Sequence, residues 1–232
     1  MKKKTRKYSP LCSSCTAEAD NRLCMSEDGI SAKGCPTVKD TELLKKANKK
    51  YDEKETGKFA YMASLQEAAC YANRHQQPYI MQPSKTRIIE ICEFADRMKY
   101  KRLGLAFCLG LAKEAKIVED ILVRHNFKVI SAACKAGRTS KDLLGIKEED
   151  KIHQGVDESM CNPIFQAMLL NDSNVDFNIL LGLCVGHDSL FFKYSEVPTT
   201  VLAVKDRVTG HNPLAAIYLC DSYYQKIKHP GL

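Results

Sequence analysis

No stretch of the sequence is apolar for long enough to span a bilayer, which argues against a helical membrane anchor. The basic start, residues 1–7, runs directly into Tyr8-Ser9-Pro10-Leu11-Cys12 and lacks the apolar centre of a secretory signal, so the expected location is the cytoplasm. No full G-x-G-x-x-G turn is present either, and a dinucleotide site is therefore not supported. The net charge of +7 and the pI of about 8.8 would fit a nucleic-acid partner only with a basic stripe interleaved with aromatics or a known reader motif. Neither occurs. Much of the positive excess lies in the first seven residues and in Lys45, Lys46, Lys49 and Lys50, which read as a solvated tail and helix face.

Cysteine, by contrast, is abundant: 11 in 232 residues. In a cytosolic chain disulfides are rare, and clustered thiols more often hold metal or do redox work. Cys12, Cys15, Cys24 and Cys35 give the spacing C-x2-C-x8-C-x10-C-P within a segment poor in large apolar residues. Four thiolates around one metal would supply the folding free energy that so small a core cannot. The Cys35-Pro36 pair is similar to the end of bacterial ferredoxin runs and tips the choice toward an iron-sulfur cluster over Zn.

Helices are expected over 41–50 and 57–74, with Pro78 and Pro83 marking a linker. From residue 84 the order becomes regular: helix 86–100, strand 102–108, helix 112–125, strand 128–133, a long polar stretch over 143–159, then a helix from Pro163. Residues 177–183 are almost continuously apolar, as in a parallel strand covered on both faces, and Asp188-Ser189 reads as the following helix cap. A strand over 199–204 and a helix over 214–226 complete the chain. Asn162-Pro163 and Asn212-Pro213 each pair an N-cap with a proline at the first helical position. The expected fold is α/β, a three-layer Rossmann-like parallel sheet with helices on both faces, preceded by a cysteine-rich metal-binding extension and a helix. Boundaries fall at 1–50, 51–83 and 84–232.

Cys70, Cys92 and Cys220 occupy apolar helix positions and are read as core. Cys108, Cys134 and Cys184 instead fall where a strand ends, and Cys161 sits beside a helix start. In open α/β sheets that edge binds ligands, and parallel strands lie about 4.8 Å apart, so thiols on neighbouring ends can converge. Cys134, Cys161 and Cys184, with Cys108 or His187 completing the set, form the second candidate metal site. Cys108, Gly110, Asp206, Arg207 and Asn212 are candidate contacts for a small-molecule ligand or cofactor there. An enzyme is the alternative: Gly182-Leu183-Cys184-Val185-Gly186 has the form of a nucleophile elbow with cysteine in place of serine, His187 or His211 serving as base and Asp206 or Asp188 as orienter. A structural zinc module that docks partners is a third.

The segments Cys134-Lys135, Met160-Cys161-Asn162-Pro163, Gly182 through Phe191 and Lys205 through Ala216 resemble a bacterial and archaeal domain-of-unknown-function family whose members are labelled metal-binding proteins. The resemblance takes in the amino-terminal cysteines and the block from residue 86 to 108. It implies metal binding without implying a reaction, and it departs at Cys24, which the family pattern places closer to Cys15.

Overall fold

The structure, a computed structural model, describes residues 8–231, so the basic start at 1–7 lies outside the described residues. The chain divides into two compact units, Met1–Leu65 and Gln66–Leu232. The first holds α1 (Pro36–Lys39), α2 (Thr41–Asn48) and most of α3 (Lys54–Ala69). Before α1 the chain is built of turns, with a 3-10 turn at Cys12–Ser14 and an isolated parallel bridge between Arg22 and Ile30. No helix among the described residues is long and apolar enough to cross a membrane.

The second unit is α/β. After α4 (Arg87–Arg97) come β1 (Arg102–Phe107), α5 (Ala112–Arg124), β2 (Lys128–Ala133), α6 (Pro163–Asp172), β3 (Phe177–Leu183), α7 (His187–Tyr194), β4 (Thr199–Val204) and α8 (Pro213–Tyr218). The four strands form one parallel sheet in the order β2-β1-β3-β4. All seven residues of β3 are buried, as its apolar sequence requires of a strand covered on both faces. Ala106, Ala132 and Leu180 pack with Ala167 and Leu170 of α6 and Phe191 of α7 on one face. The alternating positions Leu103, Leu105 and Ile179 are as fully buried on the other, where Phe94 of α4 and Tyr100 lie 5.7 and 5.6 Å, ring to ring, from Phe177. The result is the three-layer Rossmann-like arrangement that the order of elements predicts.

Two polar features lock the sheet. Asp176 accepts hydrogen bonds from the N–H groups of Lys101 and Arg102 at 2.7 and 2.8 Å, joining the starts of β1 and β3. Asn178, fully buried in β3, donates to Ser195 Oγ at 3.0 Å, and its amide oxygen occupies the space where a Cβ on Gly104 would stand, 2.0 Å away. Residue 104 therefore has to be glycine while Asn178 keeps this rotamer.

Three expectations are corrected. The last helix ends at Tyr218, not 226, because the stripe meant to hold it is uncovered: Leu214 and Ile217 are each 54% exposed, and a short helix without tertiary packing does not propagate. Cys220 beyond it is only half-buried, whereas Cys70 and Cys92 are core as expected. Helix α7 begins at His187, with Gly186 at φ 85° in the cap position, so Asp188 and Ser189 lie inside its first turn.

The long stretch before Cys161 is pinned by ion pairs, of which the most buried carboxylate is that of Glu158. Glu158 is buried and accepts from Lys141 Nζ at 3.0 Å and from the N–H groups of Ile152 and His153 at 2.9 and 3.3 Å. The Lys141 ammonium, opposed by burial and helped by these amides, pulls the Glu158 carboxyl down to about 2. A depressed carboxyl stabilises the fold above its unfolded value, about 4.3, and that contribution fades as pH falls toward 2. Glu158→Gln is accordingly expected to speed limited proteolysis within 141–158 at pH 7, and acid below about pH 4 to begin to do the same to the parent protein. Equal cleavage rates in variant and parent at pH 7 would refute that anchoring role.

Candidate functional site

Each strand of the inner pair ends in a cysteine. Cys108 follows β1, its N–H still donating to Leu181 O at 3.0 Å, and Cys184 follows β3. Cys134 follows β2, its N–H donating to Phe107 O at 2.9 Å. Cys161 arrives from the other end of the long loop, whose flanks are zipped by Met160 N–H to Thr139 O at 2.7 Å and Lys141 N–H to Glu158 O at 2.9 Å. Asn162 then donates its N–H to Cys134 O at 2.7 Å and caps α6 by accepting from Phe165 N–H at 2.9 Å. The cap and the loop closure together seat Cys161 beside Cys134, and the two sulfurs lie 3.5 Å apart.

Cys134 and Cys161 share a hydrogen bond, and Cys108 is close enough to act on Cys134 electrostatically. Cys134, with burial, pushes the Cys108 thiol up to about 12. Cys134 is lowered by Cys108 and by the Leu109 N–H at 3.3 Å, but Cys161 and burial outweigh them and leave it above its ordinary value. Cys161, at the receiving end, is lowered to about 7 by Cys134, against burial and the charges of Cys184 and Cys108, with help from Lys135. In metal-free protein Cys161 is expected to be the first sheet-edge thiol alkylated, at a rate that rises through about pH 7. A rate that climbs only above pH 8.5 would contradict this.

Cations border the sulfurs. Lys205 Nζ, just past β4, reaches beside Gly110 and Gly182, where its charge acts to lower the Cys108 thiol, and Arg207 Nη2 donates to Cys184 Sγ at 3.3 Å. The neighbouring loop is engaged internally. Asp206 accepts from the N–H groups of Val208 and Thr209 at 2.9 and 3.0 Å, which with the Thr209 hydroxyl holds its carboxyl below the usual range. His211 Nδ1 accepts from Asp206 N–H at 3.1 Å. That bond places the proton of a neutral imidazole on Nε2, so the group facing the Cys184 sulfur is a guanidinium and the Asp206–His211 pair is a loop closure. His187 meets Cys184 through its backbone N–H, 3.0 Å from Cys184 O. Asn212 opens α8 without a side-chain cap, and Gly110 lies in the 3-10 turn Leu109–Leu111 after Cys108.

In the amino-terminal unit, Cys12 and Cys24 are exposed and Cys15 and Cys35 half-buried. Cys35 precedes Pro36 of α1, and the hydroxyl and N–H of Thr37, with the N–H of Val38, lower its pKa against burial. Among the described residues no group of three or more His, Cys, Asp or Glu side chains stands in a metal-holding arrangement, in either unit.

Two residues were not anticipated. Glu158 left no signal in the sequence. Gln166 did: it is a polar residue at core spacing with Pro163, Ala167 and Leu170 on a short apolar helix, and it is 1% exposed.

A family model described as a protein of unknown function, DUF1847, matches residues 35–202, a span that holds all four sheet-edge cysteines but ends before Lys205 and Arg207. The uncharacterized protein MJ0455 of Methanocaldococcus jannaschii is 44% identical over 194 residues, 83% of this chain and 92% of its own length. No solved structure matches.

Proposed function

Because the chain belongs to the DUF1847 family of proteins of unknown function, its activity has to be read from its own site, and we propose that the sheet's carboxyl edge is a thiolate metal centre held by Cys108, Cys134, Cys161 and Cys184. What carries the reading is the gathering of four thiols from four separate segments at one sheet edge, two of them with sulfurs 3.5 Å apart. Four thiolates around a divalent ion leave two negative charges, and Lys205, beside Gly110 next to Cys108, and Arg207, donating to Cys184, supply two positive ones. The ligand set suits zinc or an iron-sulfur cluster. Spacing favours a single ion: with Zn–S near 2.3 Å, tetrahedral sulfurs stand about 3.8 Å apart, close to the Cys134–Cys161 separation of 3.5 Å. A four-iron cluster would spread them by its own width. Cys184 and Cys108 have to turn toward the same point to complete the set, since no three such side chains among the described residues stand in a metal-holding arrangement as they are. The quartet Cys12, Cys15, Cys24 and Cys35 is proposed as a second centre, with iron-sulfur or Zn as its content.

The test is elemental and sulfide analysis of anaerobically prepared protein, with its visible spectrum. About two metal sites per chain are expected, of which serine at Cys12 and Cys15 removes one. Zinc without colour supports single ions, and iron with sulfide supports clusters. Trace metal only, even after reconstitution, would overturn the proposal. A second reading then stands on the same 3.5 Å approach: Cys161 thiolate attacks a disulfide substrate and expels one thiolate, and Cys134 displaces the other, leaving a Cys134–Cys161 disulfide and two reduced thiols. Metal-free protein that reduces a small-molecule disulfide stoichiometrically would support it.

A further inference from the structure

Granted the metal reading above, we infer that Gln166 is the positioning residue of the sheet-edge centre, the side chain that fixes how far apart its sulfurs stand. Its amide Nε2 donates to Ala132 O at 2.7 Å and to Phe107 O at 3.2 Å. Phe107 immediately precedes Cys108, and Ala132 lies two residues before Cys134. One amide thus bridges the last turns of backbone under two of the ligands. The helix that carries Gln166 opens at the third: Asn162, bonded to Cys134 O, follows Cys161 directly. Rotation or drift of any of these three segments strains a bond to Gln166 or to its cap.

The chemistry of the side chain fits this role and no apolar core role. A buried amide in an otherwise apolar layer is retained at a desolvation cost that only its hydrogen bonds offset. Both donors of Gln166 are directed at strand-end carbonyls, while Oε1, equally buried, has no partner among the described residues. A buried acceptor left open is the place for a bound water. Outer contacts of this kind fix the geometry of ligands they do not themselves belong to.

The experiment is anaerobic cobalt(II) titration of the full chain carrying Cys12→Ser and Cys15→Ser, so that only the sheet-edge site is read. Gln166→Met keeps the volume and removes both donors, and Gln166→Glu keeps the shape with at most one. Both are expected to weaken cobalt binding about 10- to 100-fold and to shift the thiolate-to-cobalt absorption, whereas Leu170→Ala, a core truncation one turn along α6, should lower the melting temperature and leave affinity and spectrum unchanged. If the parent takes up no cobalt, the metal reading and this inference fall together. If the parent binds and Gln166→Met, still folded, binds equally well with the same spectrum, the inference alone falls. Loss of affinity in Leu170→Ala as large as in the Gln166 variants would reduce Gln166 to ordinary packing and overturn it too. Should Gln166→Met not fold, Gln166→Glu decides between the same two outcomes.

Discussion

Protein with serine at Cys161 is expected to lose its sheet-edge metal while keeping its fold, and serine at Cys108, Cys134 or Cys184 is expected to do the same. Structural zinc in a four-ligand site is worth about 10–16 kcal/mol, so removing one thiolate of four removes about 3 kcal/mol, a loss of affinity on the order of 100- to 1000-fold. The fold survives at Cys108, Cys161 and Cys184 because these half-buried sulfurs lie outside the packed layers of Leu103, Leu105, Ile179, Leu180 and their neighbours, whereas Cys134 is itself buried and its serine variant should also lose some stability. Serine at Cys70, buried against α4-side polar groups in a different part of the unit, serves as the control and should retain full metal. The alkylation pattern supplies a second readout. Releasing the metal by any one substitution exposes the remaining three sulfurs together, whereas a lone nucleophile at Cys184 would respond to its own replacement only. Metal loss confined to the amino-terminal quartet variants, with the four sheet-edge substitutions silent, would mean that the strand-end thiols are merely packed side by side.

How much of this was legible in the sequence follows the physics of each element. Strands β2, β3 and β4 are found with the bounds their apolar and β-branched runs predict, and β3, buried on both faces, has the least freedom of composition. The cap before α6 is equally local: Asn162 and Pro163 specify it by themselves, and through it the position of Cys161. Asn212-Pro213 repeats the device, but nothing covers the helix that follows, and it stops after Tyr218. Strand order is a tertiary fact. That β1 lies between β2 and β3, so that Cys108 has a sulfur-bearing neighbour on each side, could be expected from alternation but not read from any residue. Least legible were contacts between distant polar groups. Arg207 to Cys184 spans 23 residues, Gln166 to Phe107 spans 59, and the acceptance of Asp206 N–H by His211 Nδ1 closes a loop that composition alone does not show.

The glycines of the Gly182-to-Gly186 segment separate the structural meaning of that motif from a catalytic one. Gly182 has φ +69° inside β3, where the pairing with β4 slips between Leu181 and Leu183. This bulge re-aims the end of the strand, and with it Cys184. A Cβ at 182 would meet Leu111 Cδ1 at 2.2 Å, and Leu111 is itself buried, so it must repack into occupied space. Left-handed strain on alanine costs about 1–2 kcal/mol and overpacking a filled site about 1–3 kcal/mol, which puts Gly182→Ala at roughly 2–5 kcal/mol of lost stability. Gly186 also has positive φ, +85°, but nothing lies within 4 Å of its missing Cβ, so Gly186→Ala should lose only the strain, about 1–3 kcal/mol. The two also differ at the site. Gly182 lies two residues before a proposed ligand and within a strand, so its replacement should lower metal content along with the melting temperature, whereas alanine at Gly186, in the open turn after Cys184, should keep the metal. Denaturant unfolding and metal analysis of the two variants side by side make the comparison. Equal destabilisation with metal lost from both would show that the turn, and not the bulge, sets the direction of Cys184.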